Sequence, residues 1–330
     1  MSASLSKAAE RRRSGPQSGP GRRPWSESRV HRWLLRTHAP RGLAAGFGHD
    51  AATLAGRLVR PVACVDLCIE GVHFERRAGF SRAAAKAALR ALSDLAAAAA
   101  MPRALLFSAS FGPRESERDV RAAIRAVSRT ARCVGAELIA GDLACSAGPV
   151  VFSITAVGEL GPGAPPPGRD RARAGDWLLS TGPFGGSLLG RHLRIRPRLA
   201  AGRTLWLRGV RAMTDVSDGL VRDASRLADR SGLQVRLDAV PIHRDALRAA
   251  RASGRSALEH ALYDGEDHEL LVCASPGRAR ALLALKQDEL RGLVRVGSLH
   301  PGRGVLVPRD SGALDLVPAD PRRGWTHGAR

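Results

Sequence analysis

Two periods of apolar residues alternate along this chain. Over residues 115–134, Val120, Ile124, Val127, Ala131 and Val134 fall on one stripe at helical spacing, which predicts an amphipathic helix. Residues 81–100 are rich in alanine, with Leu89, Leu92 and Leu95 on one side of a second helix, and residues 25–35 have a third helical pattern. Short apolar runs between them predict strands at 61–65, ending at Asp66, at 104–111, at 137–139 leading into a turn at Gly141-Asp142, and at 150–157. Two strand–helix–strand passes followed by one further strand predict an α+β sandwich of ferredoxin-like type.

The run Gly-Pro-Gly-Ala-Pro-Pro-Pro-Gly at 161–168 breaks this pattern and predicts a domain boundary. Beyond it, strands are expected at 176–180, 234–237, 269–274 and 293–296, and helices at 219–229 and 278–290, which make a second α/β domain over 169–330. The first domain is expected over 25–160. Residues 1–24, rich in Ser, Arg, Gly and Pro without periodicity, are expected to form a disordered basic tail.

Charge changes little in this picture. The net charge of +21 suggests a nucleic-acid partner, but only three lysines contribute to it and the arginines are dispersed among Ala and Gly. Aromatic residues make up 4% of the chain, too few for base-stacking platforms, so no nucleic-acid partner is expected. The five cysteines form no CxxC pair and no zinc spacing, and are expected to be small buried hydrophobes in a reducing compartment. No apolar run is long enough to cross a membrane, and the N-terminus lacks a signal-peptide core, so a cytoplasmic protein is expected.

The candidate chemistry lies in aspartates set among small residues: Asp50, Asp66, Asp94, Asp142, and the pair Asp215 and Asp218. Scattered carboxylates of this kind suit a hard cation such as Mg²⁺, which takes oxygen ligands and bridges protein to phosphates. In Asp215-Val216-Ser217-Asp218-Gly219, two carboxylates share one side of a forming helical turn, and Ser217 can bond a phosphate near the exposed N–H groups. The alternative for each position is ordinary: an N-cap at Asp215 or Asp218, a solvated helix face at Asp94, a turn at Asp142, a structural histidine at His73.

The order and context of these segments resemble the thiamine-monophosphate kinase family, in the superfamily of aminoimidazole ribonucleotide synthetase-like ATP-binding proteins. The resemblance runs from Trp25 to His327. It is carried by Gly48-His49-Asp50-Ala51-Ala52, by Asp66 with Glu70-Gly71-Val72-His73-Phe74, by Leu92-Ser93-Asp94-Leu95-Ala96 and by Gly141-Asp142. Further along it is carried by Arg169 with Ala174-Gly175-Asp176-Trp177, Asp215 to Leu220, Gly265-Glu266-Asp267-His268-Glu269-Leu270 and Gly324-Trp325-Thr326-His327. It implies that Asp50, Asp66, Asp94, Asp142, Asp215 and Asp218 hold several Mg²⁺ ions, that Gly141, Asp142, Arg169 and Ser217 contact ATP, and that His73, Glu266 and Trp325 line the thiamine monophosphate site. It also implies a homodimer formed through the N-terminal domains. Departures from the family pattern are His49 for an aspartate, Cys64 and Val65 for hydroxyl residues, Ala91 for an asparagine, Asp264 for a glycine and His268 for a tyrosine.

The implied reaction is phosphorylation of thiamine monophosphate by ATP in a metal-assisted in-line transfer. The attacking oxygen belongs to a phosphate with a second pKa near 6, so no catalytic base is expected. No Walker A sequence is present. The rival readings are another ATP-using enzyme of the superfamily, and a catalytically degraded homologue that binds nucleotide or nucleic acid.

Overall fold

A computed structural model describes residues 24–38, 40, 43–45, 51–309 and 315–325. The expected tail at 1–24 lies outside these residues except for Pro24. After helix α1 (Glu27–Thr37) and the short strands β1 (Leu43–Ala45) and β2 (Thr53–Leu54), the chain forms β3 (Pro61–Ile69), α2 (Phe80–Ala97), β4 (Met101–Phe111), α3 (Glu117–Cys133), β5 (Glu137–Cys145) and β6 (Val151–Glu159). The last four strands make one sheet in the order β3-β6-β4-β5, antiparallel except between β4 and β5. Helices α2 and α3 cover one face, completing the expected two-layer sandwich. A capping box starts α3: the Ser116 hydroxyl accepts the Asp119 N–H, and the Asp119 carboxylate accepts the Ser116 N–H.

Two strands run longer than their apolar patterns indicate. Asp66 lies inside β3 rather than at its end, because its pairing with Ile154 continues the ladder past the charged residue. Gly141 and Asp142 lie inside β5 rather than in a turn, paired with Phe107 and Ser108. A strand needs only half its positions apolar when one face is covered, so a polar residue on the other face does not end it.

The second sheet has the order β13-β12-β9-β11-β7-β10-β8. Its strands are β7 (Trp177–Ser180), β8 (Ala212–Asp215), β9 (Leu233–Leu237), β10 (Leu270–Ala274), β11 (Val294–Pro301), β12 (Gly304–Pro308) and β13 (Leu316–Pro318). Strands β8, β12 and β13 are not among those the apolar pattern predicts. Helices α4 (Leu199–Leu207) and α8 (Pro276–Leu283) pack on one face, α5 (Leu220–Arg230) and α7 (Ala257–Tyr263) on the other, and α6 (Arg244–Ser253) lies beside α7. The predicted helix 278–290 stops at Leu283, and a separate turn of 3-10 helix covers Asp288–Leu290. Strand β10 is apolar throughout because it is buried on both faces: Leu271 and Cys273 face one core, Leu270, Val272 and Ala274 the other.

Helix α2 joins the two halves. Its alanines let it lie close to β3 and β6 on one side and to β8 and α4 on the other. The approach is tightest at Gly202 of α4, where a Cβ would stand 2.1 Å from the Ala96 carbonyl oxygen. The cysteines divide between buried and exposed: Cys68 and Cys273 are buried and Cys64 half-buried, but Cys133 and Cys145 are exposed, against the expectation for them.

Candidate active site

The side of α2 turned toward the second half of the chain carries a charged row in an alanine-rich helix. Lys86, Arg90 and Asp94 are spaced four apart and so share one side, with Ser93 beside them. This side of α2 faces the end of β8 and two loops that follow strands or helices of the second half. Asp215, the last residue of β8, is buried and accepts a hydrogen bond from the Ser93 hydroxyl at 2.8 Å. That bond connects residues 122 apart in sequence.

The loop 264–269 packs against the loop 215–219. The Glu266 N–H donates to the Ser217 carbonyl at 2.7 Å and the His268 N–H to the Val216 carbonyl at 2.7 Å. Glu266 and His268 both hold left-handed backbone conformations, with φ of 55° and 53°. Such conformations are costly for non-glycine residues and persist where surroundings impose them. Gly265, at φ 73°, has no room for a side chain, since a Cβ would stand 2.7 Å from the Ser217 carbonyl oxygen. The strained loop turns Glu266 and His268 toward α2.

A chain of charges results. Lys86 is fully buried, with its ammonium 2.8 Å from Glu266 Oε1, and it donates to the His73 carbonyl at 2.5 Å. The other Glu266 oxygen lies 3.3 Å from His268 Nε2, and His268 Nδ1 lies 3.4 Å from Asp215 Oδ2. Burial would lower the His268 pKa, but Asp215 and Glu266 on its two sides raise it to about 9, so the ring is an imidazolium at neutral pH. Burial would raise Glu266, yet His268 and Lys86 hold its carboxyl well below the usual range. Asp94 is raised by burial and by the negative charges of Asp215 and Asp66, while Asp215 is held low by the His268 imidazolium and the Ser93 hydrogen bond despite its burial.

Asp66, Asp94 and Asp215 thus lie near enough for their charges to act on one another, two from the first half and one from the second. Arg90 engages both oxygens of Asp66 at 3.1 Å each. Asp218 lies in the adjoining loop with Arg226 at 2.5 Å, and the Asp223 carboxylate accepts the N–H groups of Ser217 and Asp218 at 3.0 and 2.9 Å. Arg169 donates to the Thr214 hydroxyl at 2.9 Å and adds positive potential at Asp94 and Asp215. His73 is buried at the turn after β3, where its Nδ1 accepts the Ile69 N–H at 3.0 Å. Trp325 is half-exposed, and its backbone N–H donates to the Asp218 carbonyl at 2.9 Å, which ties the C-terminal segment to the same loop.

The other sequence candidates lie elsewhere. Asp142 and Gly141 are on β5, three strands and about 14 Å from β3. The cross-strand row Leu67–Ser153–Ser108–Asp142 places Asp142 on the sheet face opposite the helices, whereas Asp66 points toward α2. Asp50 and His49 lie outside the described residues. Among the described residues, no three His, Cys, Asp or Glu side chains are grouped as a metal ion would require. The carboxylates that fit a hard cation best are Asp94, half-buried, and Asp215, buried, which repel each other. Sequence reasoning did not single out Lys86, Arg90, Ser93 or His268 as site residues. The four-residue spacing of Lys86, Arg90 and Asp94 in an alanine-rich helix was the available signal.

Comparison with known proteins agrees with this architecture. The family model for the N-terminal domain of AIR synthase related proteins matches residues 48–160, and that for the C-terminal domain matches residues 171–307. The thiamine-monophosphate kinase of Rhodopirellula baltica is 37% identical over 257 residues, covering 74% of this chain and 80% of the relative. The chain belongs to the thiamine-monophosphate kinase family. The corresponding protein of Corynebacterium glutamicum is 33% identical over 283 residues, 77% of this chain and 85% of that one. Among solved structures, AaThiL complexed with AMPPCP and TMP superposes with a TM-score of 0.70 at 26% identity, covering 81% of this chain and 87% of that chain. The thiamine-monophosphate kinase of Stenotrophomonas maltophilia gives 0.71 at 30% identity, covering 85% and 94%. The hydrogenase maturation protein HypE of E. coli gives 0.72 at 20% identity, covering 89% and 98%, and so shares the fold.

Proposed function

We propose that this protein transfers the terminal phosphoryl group of ATP to thiamine monophosphate, forming thiamine diphosphate. The observation that carries this reading is the Ser93–Asp215 hydrogen bond, which brings Asp215 of one half within electrostatic reach of Asp94 and Asp66 of the other. The relative crystallised with both AMPPCP and TMP supports the same pair of substrates. The reading brings with it ATP as co-substrate, Mg²⁺ as the resident cation and a cytoplasmic location. No helix among the described residues is long and apolar enough to cross a membrane. The family resemblance disfavours a nucleic-acid role, and low identity to HypE leaves the rival enzymes of the superfamily without specific support.

Two phosphate groups must be brought together, and like charges 4 Å apart repel by about 4 kcal/mol at an effective dielectric of 20. Mg²⁺, when bound, would neutralise this charge and orient the phosphates; Asp94 and Asp215 are the carboxylates that would hold it, with Asp50 as a further ligand, whereas Asp142 would reach a phosphate site only from the partner subunit. The protein's own cations do the rest. Arg169 and Ser217 lie where ATP phosphates would approach Asp215. The His268 imidazolium keeps Asp215 ionised, and Lys86 and His268 together fix the Glu266 carboxylate. Glu266 and His73 then present an anion and a ring to the cationic thiamine, and Trp325 supplies a flat apolar surface. The dianionic acceptor phosphate needs no base, so every protein group here acts by charge and position.

Incubation with ATP, Mg²⁺ and thiamine monophosphate, followed by separation of the thiamine phosphates, tests the reading directly; absence of thiamine diphosphate would sink it. In the same assay Trp325→Ala is expected to raise the KM for thiamine monophosphate about tenfold or more, with the KM for ATP nearly unchanged. An equal rise in both would make the C-terminal segment structural only.

The reading also includes a homodimer through the N-terminal sheet, whose uncovered face exposes Val65 at 66% and Leu67 at 49%. Asp142 and Gly141 lie at that sheet's far edge, so they would join a phosphate site across the dimer interface. Sedimentation equilibrium is expected to give twice the 35.0 kDa chain mass. A monomer with full activity would remove Asp142 from the site.

A further inference from the structure

We propose that Arg90 is a built-in cation of the phosphate site, taking the place of one divalent ion at Asp66. The proposal deepens the phosphotransferase reading and rests on it. Arg90 lies in α2 between Lys86 and Asp94, each four residues away. Its guanidinium meets Asp66 side-on, with Nη2 donating to Oδ1 at 3.1 Å and Nε standing 3.1 Å from Oδ2. Both side chains are mostly buried, at 12% and 21% exposure. Burying a guanidinium costs much of its hydration, and a carboxylate partner joined by one hydrogen bond and a second close charge contact offsets part of that cost.

Asp66 thereby has the positive charge it needs without a metal. A divalent ion at the same carboxylate would stand against a fixed cation that cannot lose its proton. Asp94 has no such partner among the described residues, and the cation beside Asp215 is the His268 ring at 3.4 Å, which, unlike a guanidinium, can give up its proton when an ion binds. Arg90 also faces outward from this pair. Its Nε and Nη1 are both buried and have no hydrogen-bond partner among the described residues. Glu266 and Asp218 lie near enough for their charges to act on it. The guanidinium therefore sits between the Asp94–Asp215 end and the Glu266 end of the site, with N–H groups left for a phosphate oxygen. Native proteins rarely leave such donors unpaired without a ligand to take them.

The test counts bound Mn²⁺ per protomer, from the loss of the free Mn²⁺ signal in electron paramagnetic resonance, with AMPPCP and thiamine monophosphate saturating. Wild type and Asp66→Asn are expected to bind the same number of ions. Arg90→Leu should bind one more, and Arg90→Leu combined with Asp66→Asn should return to the wild-type number. Loss of an ion in Asp66→Asn alone, or an unchanged count in a folded Arg90→Leu, would overturn the proposal and leave the phosphotransferase reading intact. If Arg90→Leu does not fold, as judged by circular dichroism, the Asp66→Asn count decides alone. No nucleotide-dependent Mn²⁺ binding by wild type would overturn the reading and the proposal together.

Discussion

Asp94→Asn is expected to reduce turnover by about two to three orders of magnitude and to raise the Mg²⁺ concentration needed for half-maximal rate, the scale seen when one preorganised charge-stabilising group is removed. The substitution is nearly isosteric and takes away one of two negative charges that repel each other. Its effect on stability should have the opposite sign. Burial and the neighbours Asp215 and Asp66 raise the Asp94 pKa in the folded protein, so its ionisation opposes folding. That cost appears as pH rises above the unfolded value near 3.9 and is complete above the folded one. The variant should therefore melt at or above the wild-type temperature at neutral pH, and the two should converge as pH falls towards 4. Active sites commonly trade stability for function in this way. A near-normal rate with ordinary Mg²⁺ dependence would remove Asp94 from the site.

Phe152→Ala is expected to destabilise the protein by about 3–5 kcal/mol, the usual cost of truncating a buried aromatic ring. Phe152 is fully buried on β6, on the sheet face covered by α2. Its ring stacks on Phe74 at 5.6 Å and meets Phe107 at 5.6 Å, Phe111 at 5.5 Å and Phe80 at 6.3 Å. Each such pair contributes about 0.5–1.5 kcal/mol beyond simple burial. A small side chain at the centre leaves four rings facing a cavity they cannot close together. Against a total stability of about 5–15 kcal/mol, the loss is large enough to read in urea or thermal unfolding. Ser153→Ala, next in sequence but on the uncovered face, should change stability by about 0.5 kcal/mol or less. A loss below about 1 kcal/mol for Phe152→Ala would mean that the aromatic cluster is not the centre of this core.

The difference between Phe152 and Ser153 is also where sequence and structure divide. Local physics settles the elements whose signal is short-range. The stripe from Val120 to Val134 folds as α3 because apolar residues at helical spacing have one face to bury, and Ser116 with Asp119 caps it from the neighbouring sequence. The alternation in β6 shows which of its residues meet the helices. The aspartates, with the small residues around them, name the chemistry and the family.

What the sequence could not decide depends on strand register and on residues far apart. Asp66 and Asp142 both look like carboxylates at the end of an apolar run, yet both lie inside strands, on opposite faces of one sheet. Their faces follow from the pairing rows through Ile154 and Ser153, and a shift of one residue would exchange them. Asp94 read alone is a solvated helical residue; it becomes part of a site only because α4 and β8 pack on α2 and bring Asp215 beside it. Lys86 and Arg90 stand in no motif, and His268 stands in one without its role being visible there, since Glu266, Asp66 and Asp215 reach these three only through tertiary packing. A buried charge is stable only beside its counter-charge, and that pairing exists only once both halves of the chain have closed on α2.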